Sequence, residues 1–165
     1  MSVRGNHDRW LVGGVSVIPD AHRPEDLSPE TRALLAALPP SVDLELSGGV
    51  RARLCHGLAE NDMNNLSADD YGYSLEANDE LQALLSRGPR LVVKGHRHRP
   101  AIWRLGDLTL VDAGTLVTPD APCAIVIDAP PHTLTPLRVS ATGVVADPAQ
   151  PFSGVRVTLM GATYA

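Results

Sequence analysis

Three short blocks pairing glycine with histidine constrain this chain more than any other feature. They are Gly5-Asn6-His7-Asp8, His56-Gly57 and Gly95-His96-Arg97-His98. The chain has only six histidines, and four of them fall in these blocks. The second and third blocks follow the apolar runs VRARLC and RLVVK directly, and the first is expected at a strand end as well. Strand ends are where α/β folds collect ligands. A glycine beside a ligand lets the backbone turn sharply and lets a metal or phosphate come close. In a turn after a strand, histidines at i and i+2 point at different partners; alone, such a pair reads equally well as a surface loop. Asn beside His and Asp is more specific, and the three blocks in order are far more specific than any one.

The rest of the chain supplies a scaffold for them. SPETRALLAALPP predicts a helix: Ser28 caps it, Pro29 fits the first helical position, Glu30 suits the positive end, and Pro39-Pro40 stop it. Leu34, Leu35 and Leu38 are expected to form its apolar face. VDLEL and VRARLC flank SGG, a hairpin signal, with Val50, Ala52 and Leu54 alternating inward. AENDMNNLSADDYGYS has no periodicity and predicts a long exposed loop. A second helix is expected from about Leu75 to Leu85, with Leu81, Leu84 and Leu85 inward. RLVVK, AIWRL, LTLV, CAIVID, LTPLRV and VRVTLM then read as successive strands, so the back half is β-rich.

Composition narrows the function. A net charge of -5 without a basic tract does not indicate nucleic-acid binding, and 4% aromatics give no base-stacking platform. Trp10 and Trp103 read as partial core. Cys55 and Cys123, each in an apolar run, read as buried reduced thiols. No stretch approaches the roughly 20 apolar residues of a membrane span, and no secretory signal is recognisable, so the chain reads as cytoplasmic.

The blocks resemble the last three of five ordered motifs of the calcineurin-like metallophosphoesterases, in particular the small bacterial phosphodiesterase branch. The turn DAGTLVTP, around Gly114 and Thr115, looks like the family's closing turn. The resemblance runs from about residue 3 to about residue 128. It implies an α/β chain, the C-terminal portion of a four-layer α/β/β/α sandwich with the first βαβ unit absent. Residues 1–165 would form a single incomplete domain, 129–165 adding C-terminal strands. It implies that Asn6, His56 and His96 ligate one metal and His98 its neighbour. His7 would contact the phosphate and assist the leaving oxygen, with Asp8 orienting His7. Such donors suit Mn, Fe, Zn or Ni rather than Mg.

The family's first two motifs, Asp-x-His and Gly-Asp-x-x-Asp, do not precede Gly5. Asp20-Ala21-His22 spells the first but follows the third, and reads better as a polar loop. Gly106-Asp107 has no Asp three residues on. Without the bridging carboxylate, at most one weakly held metal is expected here, three protein ligands and water making an open site. The expectation is therefore a metal-dependent phosphoesterase, hydrolysing phosphomonoesters or phosphodiesters, that is inactive or weak as this chain alone and reads as N-terminally truncated. The alternatives are a non-catalytic metal-binding or scaffold module of the same fold, or half of a split enzyme. Substrate contacts are expected from the loop between Glu60 and Tyr73 and from Arg97 and Arg99, two arginines that read equally as solvated charges. An exposed sheet edge would favour self-association or a partner chain.

Overall fold

The computed structural model describes residues 1–19, 22–67, 70–117, 121–128, 132–151, 158–159 and 162–163. In chain order, helices α1 (Asn6–Val12) and α2 (Pro29–Ala37) precede strands β1 (Ser41–Leu46) and β2 (Val50–Cys55). Helices α3 (Tyr73–Glu76) and α4 (Asp79–Arg87) lead to β3 (Leu91–Lys94), β4 (Ala101–Leu105) and β5 (Leu108–Asp112). Then follow β6 (Cys123–Asp128), β7 (Thr133–Ser140), β8 (Gly143–Ala146), β9 (Gln150–Pro151), β10 (Thr158–Leu159) and β11 (Ala162–Thr163).

Two sheets result. The larger runs β1-β2-β3-β5-β4-β10-β11, and the smaller is β6-β7-β8 with β9 also on β7. The expected hairpin is present: Leu46 pairs Val50 and Ser41 pairs Cys55. From β2 the chain crosses through α3 and α4 and returns as β3, parallel to β2; β5 then lies parallel to β3 on its other side. Parallel neighbours running the same way deliver their C-terminal turns to one end of the sheet, and this brings His56 and Gly95-His96 together.

The central strands are buried on both faces, as parallel strands usually are. One face carries Cys55, Val92, Trp103 and Leu110 against Leu81 and Leu84 of α4. The other carries Ala52, Leu91, Ile102 and Val111 against Leu134 of the smaller sheet, with Ile125 and Ile127 packed alongside. Helix, sheet and sheet thus form three stacked layers. The two faces alternate along each strand, which is the period-2 geometry of extended chain.

Several local expectations change. Gly5-Asn6-His7-Asp8 opens helix α1 instead of ending a strand, with Arg9 N donating to Gly5 O at 3.0 Å. Helix α2 is where the sequence places it, and Ser28 accepts from Thr31 N, but Leu34 is 65% exposed. Polar ties hold this helix in place: the Arg32 guanidinium donates to the carbonyls of Val12 (3.0 Å) and Pro24 (2.8 Å). The single helix expected over Leu75 to Leu85 breaks at Asn78, whose side chain caps α4 through Leu81 N. That restart turns Leu81 and Leu84 inward and leaves Leu85 exposed. The long loop after His56 is exposed only in part, because Leu58 and Leu66 are driven into the core. Strand β8 was not anticipated from ATGVVA, whose residues are all exposed and carry no burial pattern. Trp103 is fully core and Trp10 half-buried. Both cysteines are free and buried, as expected. Of VRVTLM only Thr158–Leu159 is described, pairing with β4; Asp20 and Ala21 lie outside the described residues.

Candidate metal centre

Three donor atoms converge at the end of the central strands. The carbonyl oxygen of Asn6 lies 2.7 Å from His56 Nε2 and 3.2 Å from His96 Nδ1. The two imidazoles meet edge to face, with centroids 5.3 Å apart. Three different segments supply these residues: the first turn of α1, the end of β2 and the turn after β3. Asn6 is 3% exposed. A ring nitrogen facing the amide oxygen donates to it when protonated and offers a lone pair to a metal in the other tautomer.

The glycines explain how the segments come so close. A Cβ on Gly5 would stand 2.9 Å from the His56 ring, so the backbone of the first block rests directly on that imidazole. A Cβ on Gly57 would lie 2.2 Å from the carbonyl oxygen of Asn61, where the loop folds back through reciprocal bonds between Leu58 and Asn61. Only a residue without a side chain fits there. His96 has φ +75 and sits at the centre of a tight turn closed by Arg97 N donating to Gly95 O at 3.0 Å. Such turns are rare and strained. His98 also has positive φ, at +59. Strain of this kind clusters at functional sites.

Burial, followed by the neighbouring His96, pushes the His56 pKa down. Burial, followed by Lys94, does the same for His96. Both imidazoles therefore favour the neutral form, which has a lone pair to offer. His98 is exposed on the same turn. Among the described residues no group of three or more His, Cys, Asp or Glu is placed to hold a metal ion. The Asn6, His56 and His96 set has two imidazoles and one amide oxygen. It suits a borderline transition metal in chemistry and convergence, provided water completes the shell.

The remaining predicted residues are arranged differently. His7 is exposed and stacks on Trp10, with centroids 5.3 Å apart and planes 23° from parallel. Asp8 accepts from its own helix's Gly5 N at 2.8 Å. The ring contact recorded for His7 is thus with Trp10, and the hydrogen bond recorded for Asp8 is with Gly5. Arg97 donates to Leu66 O at 3.0 Å, and Arg99 is exposed.

Spacing gave no signal for two further features. Arg9 and Asp62 form a two-point ion pair, at 2.6 and 2.9 Å, joining α1 to the loop after His56. Arg9 holds the Asp62 carboxyl below its usual range, and the Asp62 charge also reaches His56 and His96. Lys94 and Asp112, register partners on β3 and β5, form an ion pair at 2.7 Å with both side chains fully buried. Burial pushes Lys94 down and Asp112 up, each toward its neutral form, against their mutual attraction. Lys94 also donates to Asn65 and to Gly95 O, while Asp112 accepts from Gly114 N. The pair thus ties the turn bearing His96, the loop after His56 and the turn at Gly114 to one point. The clue in sequence was a lysine directly after the apolar run Leu91-Val92-Val93.

No protein-family profile matches the sequence, and no curated protein sequence is detectably similar. Solved structures are similar in fold. A hypothetical protein from Pyrococcus horikoshii OT3 superposes with a TM-score of 0.64 at 16% identity, over 84% of this chain and 62% of that one. A metallophosphoesterase from Sphaerobacter thermophilus gives 0.61 at 19% identity, over 85% and 66%. A single mutant of Vps29 from Entamoeba histolytica gives 0.51 at 15% identity, over 71% and 63%. The chain therefore spans less than two thirds of the length of each, and the likeness is one of fold.

Proposed function

We propose that this chain, whose fold is that of the calcineurin-like metallophosphoesterases, carries part of a metal-dependent phosphoesterase centre acting on phosphomonoesters or phosphodiesters. The observation supporting this reading most directly is the convergence of Asn6, His56 and His96 on one point. A divalent transition metal held there would supply activation of the attacking water and offset charge on the phosphate oxygens. The amide oxygen of Asn6 and the lone pairs of neutral His56 and His96 would hold it, His98 lying toward a neighbouring position. His7, exposed beside Asn6, is suited to the leaving-group side. As water adds to phosphorus and the ester P–O bond breaks, His7 gives its proton to the departing oxygen. Arg99, exposed on the turn bearing His96, and Arg97 would face the phosphate's outer oxygens.

With three donors and no bridging carboxylate among them, metal binding is weak and turnover by this chain alone is low. The test is titration of the purified chain with Mn2+ and Zn2+, followed by an assay on bis-p-nitrophenyl phosphate. About one ion per chain is expected, and His96→Ala should weaken binding by more than about tenfold, the low end for perturbing even a ligand's hydrogen-bond partner. Strong metal-dependent turnover, lost in His96→Ala, would contradict the expected weakness. The absence of a three-member His, Cys, Asp or Glu group among the described residues favours, as the second reading, a non-catalytic scaffold of the same fold. Failure to bind either metal would decide for it.

A further inference from the structure

Beside the candidate centre lies a cavity of about 210 Å³ that the centre itself does not use. Its walls include His7, Trp10, Leu11, Val15, Val17 and Ile18. Val15 N donates to Trp10 O at 2.9 Å, folding the segment after α1 back over the indole. Val15 and Val17 are each about half exposed, at 50% and 51%. Apolar side chains gathered around an open cavity, rather than scattered singly, mark a binding surface. The indole is held in place: His7 stacks on it, and the Arg9 guanidinium stands 6.0 Å from its centroid. Arg9 is in turn fixed by Asp62.

We infer that this cavity is the subsite for the organic part of the ester, and that it selects a single aromatic ring or an apolar group of similar size. This rests on the phosphoesterase reading, because the occupant is identified by continuity with the centre. Asn6 and His7 are consecutive on the first turn of α1; one belongs to the donor set and the other to the cavity wall. A phosphate at the donor set, with its leaving oxygen toward His7, directs its organic substituent into the cavity. The size agrees: an engineered cavity of about 150 Å³ lined by apolar side chains holds benzene. Indole and imidazole faces favour a flat ring over an alkyl chain of equal volume.

The experiment compares phenylphosphonate, methylphosphonate and inorganic phosphate on the zinc-loaded chain, following backbone amide shifts. Phenylphosphonate should bind roughly tenfold or more tighter than methylphosphonate, as burial of one ring predicts. It alone should shift the amides of Leu11, Val15 and Val17. Trp10→Ala should abolish that preference. Val17→Glu changes only an exposed wall residue and should also reduce the preference to about twofold or less, so the inference does not depend on Trp10→Ala folding well. Equal binding of the two phosphonates, or a preference that survives both variants, would overturn it. So would shifts at these amides that follow protein concentration, since the cavity would then be covered by a second copy. If zinc and phosphate fail to bind while benzyl alcohol still shifts the same amides, the aromatic cavity stands and the phosphoesterase reading falls.

Discussion

One glycine and two imidazoles carry sharp constraints at the residue scale. Gly57→Ala forces a Cβ against the backbone oxygen of Asn61, which cannot swing away as a side chain would. Gly14 also has positive φ, at +76, but open space around it. Urea denaturation should therefore show Gly57→Ala losing about 2 kcal/mol or more, and Gly14→Ala only about 1 kcal/mol from its backbone conformation. The imidazoles predict a pH dependence. His56 and His96 both have folded-state pKa values below the ordinary 6.5, so the unfolded chain binds protons more readily. Stability of the metal-free chain is then fully present above about pH 6.5 and is lost as pH falls from there toward the folded values. Urea midpoints at pH 7.5 and 5.5 check this; the drop should be smaller in His56→Gln. An unchanged drop would assign it to other groups.

Among the elements, helices α2 and α4 separate what sequence can and cannot reveal. Both have nine residues and a capping side chain. The Ser28 cap was readable because a cap is a local bond, and Ser28 to Thr31 N needs no information from elsewhere; the Asn78 cap was not read, since it falls inside the single helix expected there. The inward face was not readable in the same way. Leu34 shares helical spacing with its neighbours yet meets solvent, since α2 is anchored by Arg32 reaching carbonyls 20 residues earlier in the chain. Leu84→Ala should cost about 2–5 kcal/mol, the range for a buried leucine. Leu34→Ala should stay within about 0.5 kcal/mol. Thermal melts of the two variants check the contrast. That Asn6, His56 and His96 belong to one cluster was legible through residue type and order. The positions of His7 over Trp10 and Asp8 on Gly5 N were not, because both depend on Gly5-Asn6-His7-Asp8 being helical. Asp62 and Asp112 were hidden for a further reason: their partners, Arg9 and Lys94, lie 53 and 18 residues away.

Across the whole molecule, protection should follow layering. Strands β2, β3 and β5 each have a neighbour on both sides, and their residues line both core faces. Strand β8 is exposed along its length. Native-state hydrogen exchange should therefore find the slowest amides at Val92, Leu110 and Val111, exchanging only with global unfolding, and much faster ones at Val144 and Val145. Comparable protection in the two groups would mean that the smaller sheet is covered in solution. The donor triad has a place in folding as well as in space. Asn6 meets His56 across 50 residues and His96 across 90, joining segments that only long loop closures bring together. Contacts of such range belong to the late side of the folding barrier. The triad therefore acts as a latch and not as a nucleus: strengthening it lengthens the lifetime of the native state, and the rate at which the chain first finds its fold stays as it was.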